Sequence, residues 1–562
     1  MGGTRVVAVL LAAALAALPG CDEASAAESC EPRETYRPYS RGTWGLELLF
    51  VIDNSPSMAS AQAALAEALP NMLRTLSTGD LDGDGGADFM PPSRVSAGVI
   101  STDMGTGGLE LSYCAASDFG DDGVLRTSSG ATTSECRASY PSFLTFSPFD
   151  DVAALGEDLA CLARVGTDGC DVEQPFEAML KALAGSDGST AGRFDGRFGM
   201  GTVGHADDSN AGFGPLSGLL TIIELTDDDD CSVLDPEVLN PTSSIYSGEP
   251  THRCITHPEA LQPIGRYVDG LMDLSLGYMI YAPIIGVPET LLTDPLNLDY
   301  RAILADPAMQ TTVDPSNPER QLPSCTSPSG GHAMPPRRHV ELAQELDAEG
   351  AEVILHSLCG GDLVGPLRAI AERLGWVVDS LCLGSALSRD DDGFVDCEMT
   401  QVLPVGERCA DLPGRTRIGE EDAGPGEFAE VCRVEQLPVL GGAAGAGDGW
   451  YIDDFSARAA HTCGAGAQRL AYSSSVLRTL GWWSRFDCAI SGFRDVWDIG
   501  SPCPAPGTGC VAGDAFGGRT CRRDLVCDPA TTTLQRACVD DGDCWYRNVC
   551  GVDGFCTSEN CW

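Results

Sequence analysis

The chain has 562 residues, enough for about three or four domains of ~150 residues each. It carries 82 acidic and 35 basic side chains, so its formal net charge is −47, which repels nucleic acid and anionic lipid and attracts divalent cations. Hydrophobic residues make up 43% of the chain, which is enough for packed cores, so the acidity belongs to the surfaces of folded domains rather than to disorder. We therefore expect no nucleic-acid partner.

The chain begins with a pattern typical of an export signal. Arg5 supplies a positive charge, and the apolar run 6–18 is too short to span a bilayer as a permanent helix. The run ends in LPGC at Cys21, which resembles the lipobox of bacterial lipoproteins, with Pro19 in place of the commoner small residue. The resemblance implies that residues 1–20 are a signal peptide and that Cys21 becomes the lipid-modified N-terminus. The alternative is an ordinary secretory signal cut nearby.

The residues after the signal indicate a tethered envelope protein. Residues 21–43 are polar and lack periodicity, so we expect a tether between the lipid and the first domain. The lipoprotein resemblance implies anchoring in the cell envelope of a Gram-negative bacterium, with the outer membrane favoured over the inner. Sorting between the two membranes stays open, because Asp22 beside the lipidated cysteine resembles an inner-membrane retention signal of some bacteria. No later segment reaches ~20 uninterrupted apolar residues, so we expect no other membrane span.

The cysteines indicate an oxidising compartment. The sequence has 25 of them, and an even number remains when Cys21 is set aside, as expected for an exported, fully disulfide-bonded chain. No C-x-x-C pair occurs, which argues against zinc ribbons and thioredoxin-like redox chemistry. His252, Cys254 and His257 lie close together, but Cys254 is better explained as half of a disulfide, with Cys231 as a candidate partner. The spacing does not determine the full connectivity.

Residues 44–383 alternate short apolar runs with segments of helical periodicity. The pattern predicts strands over Glu47–Ile52, Arg94–Ile100, Leu219–Leu225, Leu276–Val287 and Glu352–Leu358, and helices over Met58–Leu76, Pro175–Leu183, Arg338–Glu349 and Leu363–Leu374. Strands that alternate with helices predict an α/β domain built on a doubly wound, mostly parallel sheet. Three long inserts, Ser112–Asp150, Gly185–Gly214 and Asp306–Pro336, are expected to be loops.

The last third of the chain has a different pattern. In residues 384–499 the helical periodicity fades and cysteines are widely spaced, so we expect a small, mostly β module with short strands at Trp450–Ile452 and Trp482–Trp483. In residues 500–562 cysteines recur at nearly even intervals between Cys538 and Cys561. Such a segment buries too little apolar area to fold without disulfides, so we expect a disulfide-rich, irregular module.

The first predicted strand runs directly into Asp53-x-Ser55-x-Ser57. At steps of two in an extended chain, one carboxylate and two hydroxyls project the same way, and hard divalent cations favour such oxygen ligands. The alternative is that Ser57 caps the following helix while Asp53 supports the turn. The motif, at the end of the first strand of a doubly wound pattern, resembles the metal-ion-dependent adhesion site of von Willebrand factor A domains. That resemblance covers residues 44–383.

The resemblance implies two further ligands. Asp227, after the strand Leu219–Leu225, matches the family's Asp, whereas Glu173 stands where the family has a Thr. A Glu there could ligate the metal, favouring Ca²⁺ or tighter Mg²⁺ and weakening the metal's attraction for a partner carboxylate. Alternatively, Glu173 caps the helix, and Gln174 or a water serves instead. The acidic run 228–230 needs a nearby cation or is a solvated turn.

A second candidate cation site lies in GDLDGDGGADF. Its carboxylates, Asp80, Asp82, Asp84 and Asp88, alternate with glycines and resemble the calcium loops of the EF-hand and thrombospondin type 3 kinds. The bidentate Glu of the EF-hand is missing, so the loop is closer to the second kind. The alternative is an ordinary Gly/Asp surface turn, which is also the preferred interpretation of the shorter run 390–396.

The sequence lacks the usual enzymatic signatures. There is no G-x-S-x-G elbow, no H-E-x-x-H, no Walker A loop and no dinucleotide fingerprint, so we expect no enzyme. The resemblance implies a protein that binds a protein or polysaccharide partner through Mg²⁺ or Ca²⁺, with a partner carboxylate able to complete the metal shell. Two alternatives remain open: a structural protein stabilised by cations and disulfides, and a hydrolase whose catalyst lies in residues 384–499.

Overall fold

In a computed structural model of the chain, the described residues are 45–488 with gaps at 112–113, 115–117, 132–134, 148–149, 187–197, 199–201, 215–217, 249–251, 276–278, 316, 379–380, 384–385, 425–426, 464–466 and 478–482. Beyond these limits only the backbone of short strands is described. The signal peptide 1–20, Cys21 and most of residues 500–562 therefore lie outside the described residues. Among the described residues, no helix is both long and apolar enough to cross a bilayer.

The first part of the chain is a mixed α/β structure. In chain order its elements are β1 (Arg33–Ser40), β2 (Gly45–Ile52), α1 (Ala59–Thr78), β3 (Arg94–Ser101), β4 (Phe143–Phe146), α2 (Val152–Leu162), α3 (Pro175–Leu183), β5 (Leu219–Leu225), α4 (Arg253–Thr256), α5 (Ile264–Leu274), β6 (Ile280–Ile285), α6 (Tyr300–Ala305), β7 (Val313–Asp314), β8 (Asn317–Gln321), β9 (Cys325–Thr326), β10 (His332–Ala333), α7 (Arg337–Ala348), β11 (Glu352–Val353), β12 (His356–Ser357) and α8 (Val364–Val378). Strand β1 lies inside the predicted tether.

A seven-stranded central sheet organises these elements. Its order is β4-β3-β2-β5-β6-β11, with β12 also paired to β6, and every pairing is parallel except that of the edge strand β4 with β3. Strand β2 is buried throughout because helices cover both faces. Helices α1, α2 and α8 pack on the face that includes Phe50, whereas α3, α5 and α7 pack on the face that includes Leu49.

The predicted mostly parallel sheet is confirmed, with differences at its margins. Strand β5 and helix α3 have the predicted bounds, but the predicted strand Glu352–Leu358 is divided into β11 and β12. The pattern missed β4, which is short and lies inside a predicted loop insert. It also missed α2, whose first turn is capped by the Asp151 carboxylate, and α5. The predicted strand Leu276–Val287 is observed over Ile280–Ile285, and residues 276–278 lie outside the described residues.

The second part of the chain is largely β structure. Its elements are β13 (Leu381–Cys382), β14 (Cys397–Val402), β15 (Arg415–Gly424), β16 (Glu427–Val434), β17 (Val439–Leu440), β18 (Ala443–Ala444), β19 (Trp450–Asp453), α9 (Ala457–Cys463), β20 (Arg469–Tyr472), α10 (Ser474–Leu477), β21 (Trp483–Ala489), β22 (Val496–Trp497), β23 (Ala515–Phe516), β24 (Arg519–Cys521), β25 (Val526–Cys527), β26 (Leu534–Gln535), β27 (Asn548–Cys550) and β28 (Cys556–Ser558). Strands β14, β15 and β16 form an antiparallel sheet, and β19 and β20 form another with β13.

Residues Thr35–Asp487 form one compact unit, so the β module packs on the α/β part. The Arg458 guanidinium of α9 donates hydrogen bonds to the carbonyl oxygens of Asp88 and Gly375. In the other unit, Met1–Glu34 with Cys488–Trp562, the described strands β25–β26 and β27–β28 form antiparallel pairs.

Disulfides cross-link the loops of the unit Thr35–Asp487. They join Cys114 to Cys170, Cys136 to Cys161, Cys231 to Cys254, Cys325 to Cys359, Cys382 to Cys463 and Cys409 to Cys432. The Cys231–Cys254 pair confirms the disulfide assignment of Cys254, so its thiolate is not available to a zinc ion. These pairs confirm the expectation that cysteines of the chain form disulfides.

Candidate metal centre

The candidate site lies where the strand order of the central sheet reverses. Strands β2 and β5 are neighbours in parallel register, with Ile52 opposite Leu225, but the chain leaves them toward opposite faces. Open α/β sheets bind ligands at the carboxyl ends of such strands, because the diverging loops leave a crevice there. The backbone amide of Asp53 donates to the carbonyl of Leu225 at 3.0 Å, which fixes the two strand ends together.

The predicted oxygen ligands of the loop after β2 and of the loop after β5 lie together in this crevice. The Asp53 carboxylate is fully buried and accepts hydrogen bonds from the Ser55 amide at 2.7 Å and the Thr226 hydroxyl at 2.7 Å. The Ser55 and Ser57 hydroxyl oxygens are 2.9 Å apart, and the Ser57 hydroxyl donates to Asp227 Oδ1 at 3.1 Å. The alternative that Ser57 caps the next helix is not observed, since α1 begins after a short 3₁₀ turn and neither helical start has a side-chain cap.

Glu173 lies in the loop before α3, where the charges of Asp53, Asp228 and Asp227 act on its carboxylate. The carboxylates of Asp53, Asp227 and Glu173 do not all lie within 4.8 Å of one another. Its side chain is buried, and its Oε1 has no hydrogen-bond partner. It does not cap α3, whose N-cap residue is Gln174 and which has no side-chain cap hydrogen bond. The Gln174 amide is engaged elsewhere, because it donates to the Gly105 carbonyl and accepts from the Val233 amide. The helix-cap alternative is therefore not observed, the Gln174 amide is already hydrogen-bonded, and Oε1 of Glu173 is without a hydrogen-bond partner.

Burial, followed by mutual repulsion, raises the pKa values of the carboxylates in this cluster. Burial, followed by the charges of Asp53 and Asp228, raises the pKa of Asp227 to about 8. Burial, followed by Asp53 and Asp229, raises the pKa of Asp228 to about 7. Burial also raises the pKa of Asp53, and it raises that of Glu173 well above the usual range together with the Asp53 and Asp228 charges. Carboxylate and hydroxyl oxygens crowded in this way suit a hard divalent cation, which would relieve the repulsion.

Helix α7 contacts the acidic run 228–230 that follows β5. Arg338 donates to Asp230 Oδ2 at 3.0 Å, and the Nδ1 of His339 lies 3.2 Å from Asp229 Oδ1. The His339 Nε2 lies 2.9 Å from Oε1 of Glu224, which is fully buried within β5. Asp229 and Asp230 are thus ion-paired, whereas Asp227 and Asp228 face the crevice.

Sequence reasoning missed Thr226, Glu224 and His339 as supports of this site. A buried Glu inside an apolar strand, LLTIIEL, is an available sequence signal, because an ionisable group there needs a partner. Its partner follows 115 residues later, so local patterns do not identify it.

The second predicted cation loop follows α1. Gly79 ends the helix with a φ of +73°, and its Cα approaches the Phe89 carbonyl so closely that a Cβ would lie 2.1 Å from the oxygen. Carboxylate oxygens of Asp80, Asp82 and Asp88 lie within 4.8 Å of one another. Asp84 stands apart from this trio, and its Oδ1 accepts the Gly86 amide instead.

Internal hydrogen bonds also shape both Asp/Gly loops. Asp80 accepts the amides of Gly83 and Gly85, which is the geometry of a self-supported turn as well as of a cation loop. In the shorter run 390–396, the Asp390 carboxylate accepts the amides of Asp392 and Phe394. Residues 390–396 therefore have the hydrogen bonds of a Gly/Asp surface turn, which is the preferred interpretation of their sequence.

Comparisons with known proteins leave the family open. No protein-family model and no curated protein matches the chain. Among solved structures, it is similar to the pilus adhesin SpaC from Lactobacillus rhamnosus GG in its open conformation, at 10% identity and a TM-score of 0.23, covering 79% of this chain and 38% of that one. It is also similar to the human COPII-coat protein Sec24c, at 9% identity and a TM-score of 0.24, covering 82% of this chain and 46% of that one. The chain spans less than half of each, and likeness at this level supports no argument about function.

Proposed function

We propose that this protein is a lipid-anchored protein of the cell envelope that binds a protein or polysaccharide partner through a divalent cation. On this proposal its α/β part is a domain of the von Willebrand factor A type, and it is not an enzyme. The cation, Mg²⁺ or Ca²⁺, is held by oxygen atoms from three loops: Asp53, Ser55, Ser57, Asp227 and Glu173.

One observation carries the proposal more than any other. Glu173 places a buried carboxylate oxygen without a hydrogen-bond partner beside the hydrogen-bonded set formed by Asp53, Ser55, Ser57 and Asp227. An unsatisfied buried carboxylate is costly unless a cation or a proton neutralises it. Bound there, the cation would supply open coordination positions for a partner's oxygen atoms, while the serine hydroxyls and carboxylates hold it at the edge of the sheet.

Ser57 provides the cleanest test, since its exposed side chain can be shortened without opening a core cavity. The mature chain, which begins at Cys21, is first freed of bound cations with a chelator that is then removed. In calorimetric titrations of Mg²⁺ and Ca²⁺ into this protein, we expect Ser57→Ala to weaken one binding event about tenfold. Ser60→Ala, which removes an exposed hydroxyl at the start of α1, is the matched control and should leave the isotherm unchanged. An Asp82→Asn variant separates any event at the Asp80–Asp88 loop. Equal isotherms for wild type and Ser57→Ala would refute the proposed centre and favour a structural role for any bound cation.

The lipid anchor is tested independently of the metal. We expect Cys21→Ser to abolish incorporation of labelled fatty acid and to move the protein from the membrane fraction to the soluble fraction, because the cysteine is the acylation site of the proposed lipobox. Comparison of the intact masses of the two mature proteins gives the cleavage position. Continued fatty-acid labelling of the variant would show that the chain is acylated elsewhere, and absence of labelling in the wild-type protein would show that it carries an ordinary secretory signal.

A further inference from the structure

A cavity of about 450 Å³ opens beside the candidate metal centre. Part of its wall is acidic, formed by Asp171, Glu173 and Asp228. Another part is apolar, formed by Pro56, Val172, Ile255, Met334 and the Cys231–Cys254 disulfide. The volume is many times that of a bare ion, so the cavity has room for a side chain in addition to the cation at its edge.

Among the described residues, the basic group that acts on a carboxylate of this wall is His339, whose charge lowers the pKa of Asp228. Asp229 and Asp230 also line the cavity, but His339 and Arg338 already pair with them. Within the described part of the chain, no lysine or arginine forms an ion pair with Asp171, Glu173 or Asp228, and Oε1 of the buried Glu173 has no hydrogen-bond partner. The basic group among the lining residues is the imidazole of His252.

One divalent cation does not balance this charge. Asp53, Asp227 and Glu173, which would hold the cation, already exceed its two positive charges, and Asp171 and Asp228 of the cavity wall add to the excess. The resulting negative potential repels a partner's carboxylate and attracts a cationic group. The aliphatic stem of such a group has an apolar wall to lie against, while its charged head reaches the carboxylates.

We propose that this cavity receives the arginine side chain of a protein partner, next to the cation of the metal centre. A guanidinium presents several donors in a fixed plane, so it can pair with more than one of Asp171, Glu173 and Asp228 at once. The inference rests on the proposed function for its partner and defines that partner's chemistry: a basic contact segment rather than an acidic one.

The test uses the full mature chain and two small probes. Nα-acetyl-arginine amide and its neutral isostere, Nα-acetyl-citrulline amide, are titrated with saturating Mg²⁺ and again in chelator, with binding followed by NMR. We expect the arginine probe to bind at least about tenfold more tightly than the citrulline probe, because only the former pairs with the carboxylates. Asp171→Asn removes an exposed carboxylate from the wall and should weaken arginine binding about twofold to fivefold. Asp208→Asn, which removes an exposed carboxylate outside the cavity, should have no effect.

The outcomes separate this inference from the proposed function. If Mg²⁺ binds as proposed but the two probes bind equally or not at all, the arginine pocket is refuted while the metal centre stands. If the arginine probe binds selectively and Mg²⁺ does not bind, the metal centre fails and the cationic pocket stands. A second cation-binding event that Asp171→Asn removes, without arginine binding, would refute the pocket and assign its carboxylates to a second metal ion.

Discussion

In chelator, the free energy of unfolding is expected to fall as the pH rises from about 4 to about 8, and saturating Mg²⁺ or Ca²⁺ is expected to restore it at neutral pH. The folded-state pKa values of Asp227 and Asp228 are raised to about 8 and about 7, against 3.8 for an ordinary Asp. Between these values the folded state binds more protons than the unfolded state. Their stabilising contribution is therefore fully present below pH 3.8 and is lost as the pH passes through 7 and 8.

On the proposed function, a cation would take the place of those protons. A ligand that binds only the folded state at a hundred times its dissociation constant adds about 2.7 kcal/mol to the free energy of unfolding. Urea unfolding at a series of pH values, with chelator or with Mg²⁺, measures both effects. Ser57→Ala should keep the pH slope in chelator but lose much of the gain from the cation, whereas Asp82→Asn should keep both. Curves that coincide with and without cation at every pH would contradict a metal at this crevice.

His339→Leu is expected to lower the free energy of unfolding by about 3–5 kcal/mol, the usual cost of removing one member of a buried ion pair. Both side chains of the His339–Glu224 pair are fully buried. Burial lowers the pKa of His339, but Glu224 and Asp229 outweigh it and raise the pKa to about 10, so the ring is an imidazolium at neutral pH. Without it, Glu224 loses its charged partner and keeps the hydrogen bond from the Tyr281 hydroxyl.

A double-mutant cycle tests this assignment. His339→Leu with Glu224→Leu should recover a large part of the loss, because an apolar pair replaces both buried charges. Arg408→Ala breaks the exposed Arg408–Asp411 pair and should change stability by less than about 1 kcal/mol. In wild type the contribution of His339 is fully present below pH 6.5 and is lost as the pH rises through about 10, a slope that His339→Leu should lack. A loss below about 1 kcal/mol for His339→Leu would show that the pair is not the support we assign.

Local patterns predicted the elements whose burial is uniform. Strand β5 is apolar on both faces because helices cover both faces of a parallel sheet, so its bounds are apparent from composition alone. Strand β4 has no such signal: it is short, alternates buried and exposed residues, and pairs antiparallel at the edge. Whether a four-residue run becomes a strand there depends on pairing with β3, and local sequence does not specify that pairing.

The residues of the candidate site also fall into those that local sequence predicts and those that only tertiary contacts identify. Asp53, Ser55 and Ser57 are found from sequence because they follow one strand at fixed spacing, and Asp227 because it follows another. The choice between Glu173 and Gln174 as the proposed ligand depends on tertiary contacts, because the Gln174 amide is engaged by Gly105 and Val233. The supporting pair of Glu224 and His339 joins a strand interior to a helix first turn far along the chain, and tertiary contacts of this kind leave no local pattern.

The Cys382–Cys463 disulfide has a consequence for proteolysis. It closes a covalent loop around most of the β module, including exposed stretches of β15 and β16, while α9 at its far end carries Arg458. A protease that cuts once inside this loop leaves both fragments joined by the disulfide, and the Arg458 contacts with Asp88 and Gly375 stay intramolecular. In non-reducing gel electrophoresis a nicked molecule would therefore migrate as a full-length chain, and the module could be cut without being released from the α/β part of the chain.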